Sequence, residues 1–211
     1  MAFSFNGTSS YIDAASTPIT AAPFTMACWF NPLSATAGGV LMAIGNSAAA
    51  GRFQLAANGD IVNDPITFYA EQGAANGTAS ATGYILNTWQ HAAGVCSGVA
   101  SRSVFLNGAQ KATNTTSVTP TSVNSIVMGA RWGGGSRVGF LNGRLAEAAV
   151  WNVALTDDEV ISLSKGFAPY LIRPSNLRFY NRCLQTPKDL SQGRTLAQVA
   201  ITNFDHPRIY G

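Results

Sequence analysis

Charged side chains are scarce in this chain. Asp, Glu, Lys and Arg make up 11% of its 211 residues, where soluble domains carry roughly 25%. Ala, Gly, Ser, Thr and Asn take the surface positions instead. Such a surface is weakly hydrated and small-grained, and it suits repeated contact with neighbours. Cysteine is also rare. Cys28, Cys96 and Cys183 are an odd number without metal-type spacing, which excludes a disulfide framework and a cysteine-built zinc site. Cys28 lies in an apolar strand and reads as a buried thiol, and Cys96 reads the same way. With only His91 and His206, a histidine zinc centre is excluded too. No run approaches transmembrane length, so no membrane partner is expected. Met1-Ala-Phe-Ser-Phe-Asn-Gly7 lacks a basic n-region and an apolar h-region, which predicts synthesis in a cytoplasm without a Sec-type export signal. Asn6-Gly-Thr8, Asn76-Gly-Thr78 and Asn114-Thr-Thr116 match a glycosylation pattern but read as turns in that context. No repeat of fixed period occurs, which excludes a propeller or solenoid.

Catalytic patterns are missing as well. A retaining glycosidase needs two carboxylates about 5–5.5 Å apart, usually from acids at alternate positions of a strand. Glu147 stands alone on its strand, with Leu145 and Ala149 two positions away. Asp64 and Glu71 fall on different elements, and Asp157, Asp158 and Glu159 are explained by helix capping. No Gly-x-Ser-x-Gly elbow is present. The expectation is a protein that is not an enzyme.

The charge that exists is unevenly placed. Residues 165–211 hold seven basic and two acidic groups, a net +5, while residues 1–164 carry −2. The two parts attract each other, within one chain or between chains. The basic residues are spaced out and never interleave with aromatics as a run, so nucleic acid is not an expected partner.

What is present is β structure. Short apolar runs recur between turn signals: Ala2–Phe5, Tyr11–Asp13, Phe24–Phe30, Val40–Ile44, Arg52–Ala56, Ile66–Glu71, Trp89–Val95, Arg102–Leu106 and Ile126–Gly129. Asn107-Gly108 between Ser103–Leu106 and Ala109–Ala112 is the clearest hairpin, and Asn6-Gly7 is a second hairpin signal. Phe24, Met26, Cys28 and Phe30 alternate toward one face, leaving Trp29 on the other and in need of cover. Asn142-Gly143 supplies turn residues before Arg144–Trp151, where Leu145, Ala148 and Val150 are able to face a core. Thr156 and Glu159 form a capping box for one short helix, Asp157–Lys165. Many short strands with one helix predict an all-β, two-sheet antiparallel jelly-roll sandwich. After Lys165 the texture changes. Leu177–Asn181 is a plausible last strand, and the rest is polar, basic and without core periodicity. Residues 166–211 read as an extension that wraps the sandwich or a neighbouring subunit.

Candidate sites follow from residue chemistry. Arg131-Trp-Gly-Gly-Gly-Ser-Arg137 reads as a mobile glycine loop carrying one aromatic and two cations; Arg131, Trp132 and Arg137 are the binding candidates. A sugar could stack on Trp132. In the extension, Leu177, Phe179 and Tyr180 are the expected apolar anchors for docking on the sandwich or a neighbouring subunit, with Arg178 and Arg182 meeting acids or carbonyls. No cofactor is expected. Asp60 and Asp64 would be the calcium candidates, but Asn58-Gly-Asp60 and Asn63-Asp-Pro65 read as turns. His91 reads as a hydrogen-bonded core or edge histidine, and Trp29 and Trp151 as packing residues.

Four segments together resemble the laminin-G-like jelly-roll family, within the concanavalin-A-like lectin and glucanase fold. They are Phe5–Asp13, Phe24–Pro32, Trp89–Val95 with Ser103–Gly108, and Gly139–Glu159. Their order fits across residues 2–165, which implies a laminin-G-like sandwich over 1–165 and an extension over 166–211. The extension, through Pro169–Tyr180, Asp189-Leu-Ser191 and Asp205-His-Pro207, resembles C-terminal extensions of proteins encoded in tailed phages. That resemblance implies a non-enzymatic virion protein, such as a capsid decoration or cement protein, forming homo-oligomers and contacting capsid or other virion proteins. The alternative is a lectin-like carbohydrate-binding module, used for host attachment.

Overall fold

The structure is a computed structural model and describes residues 1–35, 38–48, 51–184 and 186–206. Pro207 and Arg208 of the extension lie outside the described residues. Two antiparallel sheets pack face to face. Strands are numbered in chain order. The first sheet runs β10 (Ala109–Asn114), β9 (Ser101–Leu106), β8 (Gln90–Gly98), β3 (Phe24–Pro32), β14 (Asn142–Trp151), β1 (Ala2–Asn6) and β17 (Thr202–Phe204), with β15 (Leu177–Asn181) also on β14. The second runs β16 (Ala197–Val199), β2 (Tyr11–Ala14), β11 (Ser125–Met128), β4 (Gly39–Gly45), β5 (Arg52–Ala57), β6 (Pro65–Gln72) and β7 (Ala75–Gly83). A separate hairpin joins β12 (Arg131–Gly133) to β13 (Ser136–Val138). The one α-helix among the described residues, α1, spans Asp157–Ser164. This is the all-β sandwich that strand spacing and turn chemistry predict.

The core lies between the sheets and follows the period of two. Phe24, Met26, Cys28 and Phe30 point inward and are fully buried. Phe24 meets Phe53 and Phe68 of the opposite sheet edge-on, at 4.7 and 6.0 Å between ring centroids. Burying such rings stabilises by about 1.5–3 kcal/mol each. Gly94 on β8 is what lets the sheets approach there. A Cβ at that position would sit 2.5 Å from a Phe68 ring atom. Burial raises the Cys28 thiol well above its ordinary range.

Two turn signals act differently from expectation. Asn6-Gly7 does not close a hairpin: β1 pairs in the first sheet and β2 in the second. The Asn6 side-chain carbonyl accepts from the amides of Thr8, Ser9 and Ser10. That Asx-type turn carries the chain across from one sheet to the other. Asn142-Gly143 lies inside β14 rather than in a turn. Gly143 is needed for close approach, since a Cβ would sit 2.8 Å from the Asn31 carbonyl oxygen. Asn107-Gly108 does form the β9–β10 hairpin, with φ of 54° and 69°.

β14 holds the first sheet together. One edge pairs with β3 along its length, while the other is shared, by β1 at Asn142–Leu145 and by β15 at Ala148–Trp151. A bulge at the changeover gives Glu147 a φ of +51°. It shifts the side-chain phase by one, so Leu145, Ala148 and Val150 all face the main core. Past the bulge, Ala149 and Trp151 face outward into a second cluster under α1, with Val160 and Leu163. The capping box forms as read: the Thr156 hydroxyl accepts from the Glu159 amide and the Glu159 carboxylate accepts from the Thr156 amide.

Leu177–Asn181 is a strand but not the last one. β16 adds to the edge at β2, β17 adds to the edge at β1, and Ala200 turns between them with a φ of +51°. The Ser10 hydroxyl donates to the Ala200 carbonyl at 2.6 Å. All residues of β16 and β17 are exposed. They are held by backbone ladders rather than by burial, which is why hydropathy does not reveal them. His206, just beyond, packs edge-on against Trp89 and Trp29 at 4.6 and 6.1 Å and supplies the cover Trp29 needs.

Candidate functional site

The glycine segment expected as a mobile loop is an ordered hairpin. Gly134 and Gly135, with φ of 64° and 88°, turn the chain so that Trp132 stands opposite Arg137. The Arg137 guanidinium lies over the Trp132 ring, 3.1 Å from its centroid, and also over the Tyr11 ring at 4.8 Å. It donates to the Asp13 carboxylate. Tyr11 and Asp13 are on β2, so this stack fastens the hairpin to the outer face of the second sheet. Trp132 is half-buried, with the Arg137 guanidinium over its ring and its indole Nε1 without a hydrogen-bond partner among the described residues.

Arg131 borders a cleft on that outer face. Alternation along β5 and β6 sends Phe53, Leu55, Ile66 and Phe68 to the core and Arg52, Gln54, Thr67 and Tyr69 outward. The pairing register sets Gln54 opposite Tyr69 and Arg52 opposite Glu71. Arg52 grips Glu71 through two bonds of 2.7 Å and lies over the Tyr69 ring at 5.5 Å. Arg52, Gln54, Thr67, Tyr69 and Arg131, together with Asn58 and Asp60, line an open cleft of about 370 Å³. Gln54 is 9% exposed, and its Oε1 has no partner among the described residues. A buried acceptor without a partner costs about 1–3 kcal/mol. Burial, then the neighbouring Glu71, pushes the Tyr69 phenol up. Burial and then Arg52 push the Arg131 guanidinium down. The cleft therefore offers a ring edge, amide and hydroxyl groups, and a cation, all on rigid strands.

Other cavities have weaker chemistry. One of about 610 Å³ opens where β7 meets β10; exposed Ile61 and Val62 line it, and its lysine, Lys111, is paired with Asp157 at 2.8 Å. One of about 190 Å³ lies beyond the hairpin, between Trp132 and Asn124.

Asp60 and Asp64 sit in the β5–β6 turn, where the Asp64 amide donates to the Ile61 carbonyl and the Asp64 carbonyl accepts from Tyr84. Burial, with Asp64 and Asp60 nearby, pushes the Tyr84 phenol up to about 12. Among the described residues no three His, Cys, Asp or Glu side chains gather as a metal site. Leu177, Phe179 and Tyr180 are buried within this chain. Arg178 donates to the Ser175 carbonyl at 3.0 Å, and Arg182 lies 3.9 Å from Glu147. Glu147 also accepts from the Tyr180 hydroxyl, and burial raises its carboxyl. His91 is buried beside Trp29, but its Nδ1 lacks the hydrogen-bond partner expected among the described residues, and burial pushes its imidazole down to about 3. No helix among the described residues is long and apolar enough to cross a membrane.

Sequence reasoning missed Arg52, Gln54, Thr67 and Tyr69. Polar residues at every second position of Arg52–Ala56 and Thr67–Glu71 were the available signal.

Comparison with known proteins bears on the fold. No curated protein sequence matches the chain. Among solved structures, the heptameric SAP-like pentraxin of Limulus polyphemus superposes with a TM-score of 0.67 at 18% identity, over 93% of both chains. The sialidase CBM40 of Ruminococcus gnavus, bound to α2,3 sialyllactose, gives 0.60 at 17% identity over 69% of this chain and 84% of its own. Domain 4 of AbnA, an extracellular arabinanase of Geobacillus stearothermophilus, in complex with arabinotriose, gives 0.58 at 18% over 77% and 76%. These likenesses concern the sandwich as a whole. Residues 6–161 match the Laminin_G_3 model of the concanavalin A-like lectin/glucanases superfamily, and the chain belongs to that family.

Proposed function

We propose that this protein is a non-catalytic carbohydrate-binding domain whose ligand lies in the cleft between β5, β6 and the β12–β13 hairpin. The observation that carries the reading is the Gln54 Oε1 atom, an acceptor buried without a partner in a polar cavity. A sugar hydroxyl is the donor such an atom lacks. Thr67 and Tyr69 add hydroxyl groups at a spacing fixed by strand register, and Asn58, just past β5, adds an amide, as preformed sites do. The carboxylates at hand suit binding better than hydrolysis. Glu71 has both oxygens on Arg52, and Asp60 stands exposed on the rim. Two structural neighbours hold oligosaccharides, arabinotriose and sialyllactose.

This reading takes precedence over a virion decoration protein. The solved relatives include sugar-bound domains, and Leu177, Phe179 and Tyr180, expected to dock on the sandwich or a neighbouring subunit, are buried against this chain's own β14. Glycan-array screening followed by titration calorimetry tests the proposal. The wild-type chain should bind a glycan that Gln54→Leu and Tyr69→Ala lose while keeping their fold. Binding that survives both substitutions would place the ligand elsewhere.

A further inference from the structure

We propose that the bound glycan carries a carboxylate and that Arg131 receives it; the inference rests on the carbohydrate-binding reading above. Two guanidiniums, Arg52 and Arg131, and one carboxylate, the exposed Asp60, line the cleft, and Glu71 beside it on β6 is the partner of Arg52. Arg52 takes both Glu71 oxygens at 2.7 Å. Arg131 is left with a single bond, from Nη1 to the Trp132 carbonyl at 3.2 Å, and no salt-bridge partner among the described residues.

Its position is nevertheless fixed. Arg131 leads β12, and the Arg137 stack on Trp132, Tyr11 and Asp13 holds that hairpin down. A half-buried cation beside a second cation is unfavourable; burial first and Arg52 second lower the Arg131 pKa, and Glu71 and Tyr69 offset only part of this. A guanidinium presents parallel N–H groups that match the two oxygens of a carboxylate. A neutral sugar would satisfy Gln54 and leave Arg131 as it is; an acidic sugar satisfies both. Asp60, an exposed carboxylate lining the same cleft, repels the acidic end and accepts from hydroxyls. The ligand is thereby oriented with its carboxylate toward the hairpin.

The test is calorimetry on the full chain at low and moderate salt. Trigalacturonate and sialyllactose are each compared with their methyl esters, alongside a sulfated, carboxylate-free galactotriose. At least one acid should bind about tenfold or more tighter than its ester. That difference should vanish in Arg131→Gln, persist in part in Arg131→Lys, and shrink with salt as exposed charge is screened over about 10 Å at 0.1 M. The ester comparison uses the wild-type chain, so it stands even where a substitution disturbs the hairpin. Esters that bind as well as the acids, with Gln54→Leu abolishing both, would overturn the inference and leave the sugar-binding reading in place. Preference for the sulfated sugar would overturn the carboxylate assignment. Failure of every acid and ester to bind would also overturn the inference, whereas the sugar-binding reading falls only if the glycan array shows no ligand.

Discussion

The Arg137 guanidinium lies flat on the Trp132 ring, 3.1 Å from its centroid, while its nitrogen donates to Asp13 across the sheet. One side chain thus pins a two-stranded hairpin to a strand more than a hundred residues earlier. Arg137→Ala should remove the cation–π contact and leave Asp13 half-buried and unpaired. The expected cost is roughly 1–2 kcal/mol in urea unfolding, with weaker glycan binding because Arg131 loses its anchor. Unchanged hydrogen exchange at β12 in the variant would show that the hairpin is held by other contacts.

Phe30 tests the core. It is fully buried and meets Tyr84 edge-on at 6.2 Å. Phe30→Ala should destabilise by about 3–5 kcal/mol, read as a lower denaturant midpoint at constant slope. A cost below about 1 kcal/mol would mean the site collapses around the missing ring.

Stability should fall with acidification from about pH 6.5 downward. His91 and His206 have imidazoles pushed down to about 3 and about 4, mainly by burial, against about 6.5 when unfolded. In that window the unfolded chain binds more protons than the folded one, so stability rises with pH. Glu147, raised by burial, works in the opposite sense above the ordinary carboxylate range. Asp189 and Glu159, held low by arginine and backbone or hydroxyl donors, add to the loss only at lower pH. His206→Gln should flatten the acid limb over a plateau lowered by the loss of the ring contacts with Trp89 and Trp29. The same slope in wild type and variant would assign the effect to His91 or to the carboxylates.

The C-terminal strands should guard the sandwich edge. Deleting residues 195–211 bares β1 and β2 together, one on each sheet, and removes the Ser10–Ala200 bond. Unpaired edges invite strand addition by another chain. Light scattering should detect association of the truncated protein, whereas a monomer with an unchanged melting temperature would make these strands dispensable. Deleting from residue 166 should do more, because β15 holds half of one edge of β14.

Local chemistry was legible in the sequence. The alternation of Phe24, Met26, Cys28 and Phe30 set a core strand, since a side-chain period of two leaves them one common face. Asn107-Gly108 set a hairpin because both positions need positive φ, and Thr156 with Glu159 set a helix start because its free amides need acceptors. The laminin-G-like sandwich followed from several such signals in order. β7, β16 and β17 were not legible. Apart from Val199 and Phe204 their residues are small or polar, and they are strands through the neighbours that pair with them. The bulge at Glu147 was hidden for a similar reason, because only the changeover from β1 to β15 along β14 calls for it. The candidate site divides the same way. Arg131, Trp132 and Arg137 stood out as residue types, but the sequence could not say that Arg137 covers Trp132 and frees Arg131. Gln54 and Tyr69 lie far apart in the chain, and only strand register, fixed by burying Phe53, Leu55 and Phe68 on the other face, sets them side by side.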